Sequence, residues 1–332
     1  MKAFQYLRPS KVQDAIRAVG SDPGARFIAG GTNLIDLMKR GIVSPDKLVD
    51  INHLPLKKIS YQSGRLKIGA LALNSEVAAH PAVLQKQPLL AQALHSGASG
   101  QLRNMATMGG NALQRTRCPY FYDTAFPCNK RKPGSGCAAV EGINRMHSIF
   151  GVEKANATQS CIAVHPSDMS VALAALDAEV IIQGQGGERR IAFTDLHRLP
   201  GNQPELDTTL ERNELITGFE IPDNDFGMHA HYLKVRDRAS FAFAIVSVAA
   251  ALDVKEGKIN AARLAMGGVA HKPWRLFEAE RHLLGKPVSE ALFRQAAALG
   301  MRDAVSFGQN DYKLRMAPNA VVQALLHAAA IE

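Results

Sequence analysis

All four cysteines of the chain, Cys118, Cys128, Cys137 and Cys161, fall within one stretch of 44 residues, and the other 288 residues hold none. They sit among Pro119, Pro127, Asn129, Pro133, Gly134, Ser135 and Gly136, a composition that makes turns rather than core strands or helices. Nine residues separate the first pair, eight the second and 23 the last. Structural zinc favours short C-x₂₋₄-C knuckles, and none is present. Two disulfides fit the even count with three connectivities, but 332 residues build a sizeable core without covalent staples. Four unrelated buried thiols are the plainest alternative, because free cysteine is among the most buried residue types. The leading reading is a [4Fe–4S] cluster held by four thiolates, which makes the protein an electron-transfer component.

Hydrophobic residues at 46% and charged residues at 21% describe an ordinary globular chain, and its length suggests two or three domains. No apolar run reaches the roughly 18 residues that a membrane span needs. The opening stretch MKAFQYLRPSKVQ has no apolar h-region, so no secretory signal of its own is expected. A formal charge of +9 permits nucleic-acid binding, yet no nucleic-acid motif accompanies it. Instead Arg103, Arg115, Arg117, Lys130, Arg131, Lys132 and Arg145 crowd the cysteine region. They form either a solvated basic face or a field that offsets an anionic cluster and a pyrophosphate.

A strand over 3–7 precedes an amphipathic helix with Val12, Ala15, Ile16 and Val19 on one face, and Ser10 with Gln13 has capping-box spacing. Residues 26–29 read as a strand running into Gly30-Gly31-Thr32-Asn33 and a helix over 34–40. Strands follow at 48–51 and 66–70, helices at 75–79 and 88–95, and a second glycine turn at 103–111. After the cysteines a helix opens at Ser167-Asp168 and runs to 176, with strands at 179–183 and 216–221. From about residue 225 the pattern becomes three antiparallel strands, 229–235, 243–252 and 259–267, then helices near 275–284, 290–305 and 319–330. This part reads as a separate α+β domain.

Each glycine loop lets a backbone approach a ligand closely, and helix N-termini present N–H groups to anions. Thr32 and Asn33 in the first, and Thr107, Gly109, Gly110 and Asn111 in the second, suit a nucleotide diphosphate. Neither loop fits G-x-G-x-x-G or the Walker pattern. The string FIAGGTNLIDLMKRG resembles the first FAD loop of the flavin subunits of the xanthine dehydrogenase, or molybdenum hydroxylase, family, and LRNMATMGGNAL resembles their second. HPSDMSVALAALDAEV, ELITGFEIP and YLKVRDRASFAFAIVSVAAAL follow in family order, and ARLAMGGVAHKPWR resembles the start of the C-terminal flavoprotein domain. RTRCPYFYDTAFPCNKRKPGSGCAA resembles the insertion that carries a [4Fe–4S] cluster in the FAD subunit of bacterial periplasmic aldehyde oxidoreductases.

The resemblance implies an α+β fold: a p-cresol-methylhydroxylase-type FAD-binding domain over 1–224, then a C-terminal α+β domain over 225–332. The first domain would split into α/β subdomains 1–54 and 55–224, with the cluster insertion at 114–161, and the second would hold a three-stranded antiparallel sheet with helices. FAD contacts are implied along Arg26, Phe27, Ile28, Ala29, Gly30, Gly31, Thr32, Asn33 and Leu34, with Thr107, Gly109, Gly110 and Asn111 completing the pyrophosphate cradle. Ile216 is expected near the adenine, and Asp168 and Lys234 as polar partners of the flavin. Lys234 would stabilise the reduced flavin as a nearby cation, unless it is a surface strand lysine, and Lys234→Met is expected to leave the fold intact. Arg238 is a second candidate cation. Tyr120 and Tyr122 either pack over the cluster or simply fill the loop. Cys118, Cys128, Cys137 and Cys161 are the implied cluster ligands.

The implied assembly is a heterotrimer with a small subunit carrying two [2Fe–2S] clusters and a large molybdenum-cofactor subunit, reached in the periplasm by co-export with a signal-bearing partner, or otherwise cytoplasmic. The rivals are the flavin subunit of a 4-hydroxybenzoyl-CoA reductase-like complex and a stand-alone FAD oxidase.

Overall fold

Gln5–Leu7 forms β1, and the stripe Ala15, Ile16 and Val19 buries one face of α1 (Val12–Gly20). The expected capping box is not made: Lys11 takes the N-cap position without a side-chain bond, so neither Ser10 nor Gln13 closes the helix. β2 (Ala25–Ile28) leads through the first glycine loop into α2 (Leu34–Lys39), and β3 (Lys47–Asp50) lies between β1 and β2 in a parallel sheet. The computed structural model describes residues 1–227 and 229–330.

A second sheet starts with the hairpin β4 (Ile59–Gln62) and β5 (Arg65–Gly69). Helices α3 (Asn74–Ala79), α4 (Pro81–Lys86), α5 (Pro88–Ser96), α6 (Gly100–Arg103) and α7 (Met108–Ala112) follow. The cysteine excursion then carries only the short α8 (Pro119–Tyr122) and a 3₁₀ turn at Lys154–Asn156. Next come α9 (Asp168–Ala175), β6 (Glu179–Gly184), β7 (Gly187–Ala192) and β8 (Leu215–Pro222), giving the antiparallel order β4-β5-β8-β6-β7. The outer strands β4 and β7 are absent from the sequence pattern. Edge strands need bury only part of one face, and GERRIA in β7 leaves little apolar alternation to read.

In the C-terminal part β9 (Ala230–Val235), β10 (Val246–Lys255) and β11 (Lys258–Gly267) are antiparallel, with Glu256 and Gly257 turning at positive φ. A fourth strand, β12 (Trp274–Arg275), extends the expected three-stranded sheet along β11. The second expected strand starts at Val246 rather than 243, because Phe243 stays in a loop. α10 (Phe277–Leu283), α11 (Glu290–Gly300) and α12 (Lys313–Ala328) close the chain. α11 stops at Gly300 rather than 305, and Val305 N–H donates to the Ile149 carbonyl of the cysteine excursion instead. α12 begins at Lys313, one turn and more before the expected start, and carries Pro318 within it.

One helix joins the layers. Every residue of α9 is buried, and it packs against α5 on one side and β10 and β11 on the other. Apart from Asp168 and Ser170 its side chains are apolar, so it presents no polar face to solvent. The cysteine excursion docks on the C-terminal sheet, where Phe150 stacks on Trp274 with centroids 4.9 Å apart and planes 10° from parallel.

The two glycine loops touch directly. A Cβ built on Gly30 would lie 1.8 Å from the Met105 carbonyl oxygen, so this glycine is required by the second loop's backbone. We expect Gly30→Ala to separate the loops and destabilise the protein by about 1–3 kcal/mol, as overpacking does. Urea denaturation beside the parent checks this; an unchanged midpoint would mean that the loops part without loss.

Candidate functional site

The loops, α5, the start of α9 and the 237–243 loop enclose a cleft of about 730 Å³, within the size range of organic cofactor sites. Of the residues implied from sequence, Thr32, Asn33, Gly110, Asn111 and Asp168 line it. The others stand behind the walls. Arg26, Phe27 and Ile28 belong to β2, whose Arg26 guanidinium donates to the Pro23 and Ala25 carbonyls. Ala29 leads out of it, and Gly31 turns at φ +72° before Leu34 opens α2. The Thr107 hydroxyl accepts from Gly110 N–H at 3.2 Å as the cap of α7, and Gly109 N–H donates to the Ala70 carbonyl. Ile216 is a buried core residue of β8.

Asp36, Arg103, Arg117, Phe241 and Phe243 also line the cleft, and sequence reasoning did not find them as wall residues. Phe241 and Ala98 both hold positive φ without being glycine, and Phe241 N–H donates to the Ala98 carbonyl at 3.2 Å across the cleft mouth. No sequence signal marks such a clasp. Asn33 Oδ1 accepts from Arg115 N–H at 3.0 Å, which fixes the amide orientation. Its Nδ2 is then a buried donor with no acceptor among the described residues. Size and orphaned donor together fit an acceptor-rich ligand such as a dinucleotide.

Asp168, the first residue of α9, follows the N-cap Ser167. Its carboxylate accepts from Tyr232 Oη and from Lys234 Nζ, each at 2.8 Å. Burial pushes the Asp168 carboxyl above its ordinary range, against the opposing charge of Lys234. Lys234 Nζ also donates to the Ser96 carbonyl at 2.9 Å, and its side chain is 3% exposed. Lys234 is therefore neither a surface lysine nor a cleft-lining one. It stands behind Asp168, and its influence on the cleft passes through that carboxylate. Arg238, the other candidate cation, lines the cleft and donates to the Phe241 carbonyl.

All four cysteines are free and line one small enclosed cavity with room for roughly one water. Cys128 and Cys137 face each other in an isolated antiparallel bridge. Tyr120 shares this cavity, whereas Tyr122 turns away to receive a hydrogen bond from Arg117. His147 Nε2 lies 3.2 Å from Cys118 Sγ, and burial lowers this imidazole to about 4. Burial pushes the Cys118 and Cys161 thiols up to about 12, and neighbouring cysteines add to the effect. Among the described residues no group of three or more His, Cys, Asp or Glu is placed to hold a metal ion. Polar anchors set the excursion. Lys130 Nζ reaches Asp207 at 2.5 Å and the Pro204 carbonyl at 2.8 Å, and Asn129 Nδ2 donates to the Thr158 and Ser160 carbonyls. Burial would raise the Asp207 carboxyl, but Lys130 and Arg115 override it and hold it at about 2.

Residues 2–224 match the family model described as the FAD binding domain in molybdopterin dehydrogenase, and 231–328 match the CO dehydrogenase flavoprotein C-terminal domain. The chain belongs to this flavoprotein family. It is the FAD-binding subunit of a molybdenum hydroxylase and so an oxidoreductase subunit. It is 47% identical over 334 residues to the aldehyde oxidoreductase FAD-binding subunit PaoB of Escherichia coli K12, covering 99% of each chain. It is 29% identical to the glyceraldehyde dehydrogenase medium chain of Sulfolobus acidocaldarius, over 89% of this chain and 86% of that one. Among solved structures, carbon monoxide dehydrogenase from Hydrogenophaga pseudoflava shares the fold with a TM-score of 0.77 and 25% identity, over 99% of this chain and 98% of that one. Quinoline 2-oxidoreductase from Pseudomonas putida 86 does so with a TM-score of 0.75 and 26% identity, over 99% of both. No helix among the described residues is long and apolar enough to cross a membrane.

The buried pair overturns the expectation that Lys234→Met leaves the fold intact. Removing one partner strands a buried carboxylate, which costs about 3–5 kcal/mol. We expect Lys234→Met to lower the unfolding free energy from urea denaturation by that amount and Asp168→Asn combined with Lys234→Met to recover part of it. Equal loss in the single and double variants would show that the two side chains do not act as a pair.

Proposed function

We propose that this chain is the FAD- and [4Fe–4S]-carrying electron-transfer subunit of a heterotrimeric molybdenum-dependent aldehyde oxidoreductase. The observation that carries the reading is the full-length 47% identity to an aldehyde oxidoreductase FAD-binding subunit. In this assembly a large subunit converts aldehyde and water to carboxylic acid at molybdenum, releasing two electrons and two protons. A small subunit with two [2Fe–2S] clusters hands the electrons to this chain, which delivers them to an external acceptor. The names of other relatives, "medium chain" and "FAD-subunit", support a multi-subunit assembly.

FAD, when bound, supplies the exchange of one or two electrons. The chain's part is to hold and tune it. Thr32, Asn33, Gly110 and Asn111 would meet the pyrophosphate, with Gly31, Thr107 and Gly109 fixing the loops that present them. Asp168 would meet the flavin as a carboxylate already tied to Lys234 and Tyr232. Ile216 would back the adenine side as packing in β8.

The convergence of Cys118, Cys128, Cys137 and Cys161 on one cavity supports the [4Fe–4S] assignment. Four thiols are the donor set that a [4Fe–4S] cluster takes. Co-export with a signal-bearing partner places the complex in the periplasm, and otherwise it works in the cytoplasm. Fractionation with and without that partner's leader decides between the two.

The test is native purification with co-expressed partners, followed by flavin, iron and molybdenum analysis and aldehyde turnover. We expect FAD and about four cluster irons on this chain. Each of Cys118→Ser, Cys128→Ser, Cys137→Ser and Cys161→Ser should lose most of that iron, and full retention in all four overturns the ligand set. Gly31→Val should lose FAD on gel filtration, because a β-branched residue is strained at φ +72° and its Cβ meets Ile35 at 2.7 Å. Aldehyde oxidation by this chain alone would overturn the subunit reading.

A further inference from the structure

Arg117 stands where three features meet. It precedes Cys118 in the chain, it lines the FAD cleft, and it lines a smaller chamber of about 160 Å³ that Cys118 and Asp168 also border. One of its terminal nitrogens donates to Asp36 Oδ2 and to Tyr122 Oη, both at 2.8 Å. Its guanidinium carbon lies 5.6 Å from the Tyr122 ring centre and 5.4 Å from that of Phe243. Burial pushes the Tyr122 phenol up to about 12, so it stays neutral beside the cation. Asp36 lies on α2, directly after the first glycine loop.

Arg117 Nε and Asn33 Nδ2, on two residues of the cleft wall, are buried donors that find no acceptor among the described residues. Both residues line the cleft, and both are fixed by bonds between the first loop with its helix and the irregular segment leading into the cysteines: Arg115 N–H to Asn33, and Arg117 to Asp36. Stranded donors of this kind call for acceptor atoms on a ligand. A guanidinium clamped on one nitrogen and flanked by two rings is held in place before any ligand arrives.

We propose that Arg117 contacts FAD from the cleft wall with its guanidinium and, by its bond to Asp36, ties the order of the Cys118 loop to occupancy of the cleft. FAD retention and cluster retention are then linked through this one side chain. The inference rests on the FAD and cluster assignments above. Linkage is reciprocal: what the cofactor adds to the cluster's stability, the cluster adds to the cofactor's. A direct contact also puts a fixed positive charge beside the flavin nucleotide, which favours its reduced, more negative form.

The experiment is a double-variant cycle in the purified complex, with Arg117→Gln, Cys118→Ser and the pair. FAD dissociation is read by flavin fluorescence, iron is counted per chain, and the flavin potential is titrated. Arg117→Gln should weaken FAD about fivefold or more, a typical coupling, lower the flavin potential and lower iron content although no ligand is changed. Cys118→Ser should weaken FAD as well, and adding it to Arg117→Gln should weaken FAD no further. Arg117→Lys, which keeps charge but not the fork, should restore potential more than affinity, and this guards against a variant that merely folds poorly. Additive losses, or FAD affinity untouched by Arg117→Gln, overturn the linkage while leaving the FAD and cluster assignments standing. A wild-type complex without iron overturns the cluster assignment and this linkage together.

Discussion

A carboxylate that is mostly buried needs partners of opposite charge or good donors, and Asp168 finds both on β9. That requirement organises the molecule. Asp168 starts α9, which is buried along its whole length, so its position is set by the elements around it. Tyr232 and Lys234 come from the C-terminal sheet, and Ser96, the second acceptor for Lys234, comes from the end of α5. One ion pair thus fixes the C-terminal sheet against the helices that wall the cleft. The same carboxylate faces the cleft, so the interaction that holds the layers together also sets the field a cofactor meets.

The cleft itself is assembled from distant pieces of chain. Gly30 admits the Met105 carbonyl, Asn33 grips the irregular segment that enters the cysteine excursion, and Phe241 hooks onto Ala98. The excursion has a small apolar core of Ala139, Val152, Ala157 and Ile162 and leans on polar anchors such as Lys130 and Asn129. A segment so built gains much of its order from outside itself, which suits one that closes around a cofactor.

Local chemistry explains what was legible in the sequence. The glycine loops, the capped start of α9 and the irregular cysteine segment are written in short-range turn and cap residues, and the structure contains all three. The isolated cysteines of that segment line one cavity. What the sequence hid depends on long-range contact. Lys234 reads as an ordinary strand lysine until Asp168 is placed beside it. Arg117 looks like one of many basic residues near the cysteines until Asp36 and the cleft appear. Gly30 suggests ligand approach, yet its nearest neighbour is the protein's own backbone. β4, β7 and β12 escaped because edge strands carry weak alternation or are too short to show any.

The Phe150–Trp274 stack has a practical consequence. The chain contains a single tryptophan, and it lies where the cysteine excursion meets the C-terminal sheet. An indole's emission depends on its packing and on its contact with water. Here that emission comes from one known junction and needs no attached dye. The protein thus carries an intrinsic optical reporter of whether its cysteine excursion is seated, readable in solution while the segment docks or lifts away.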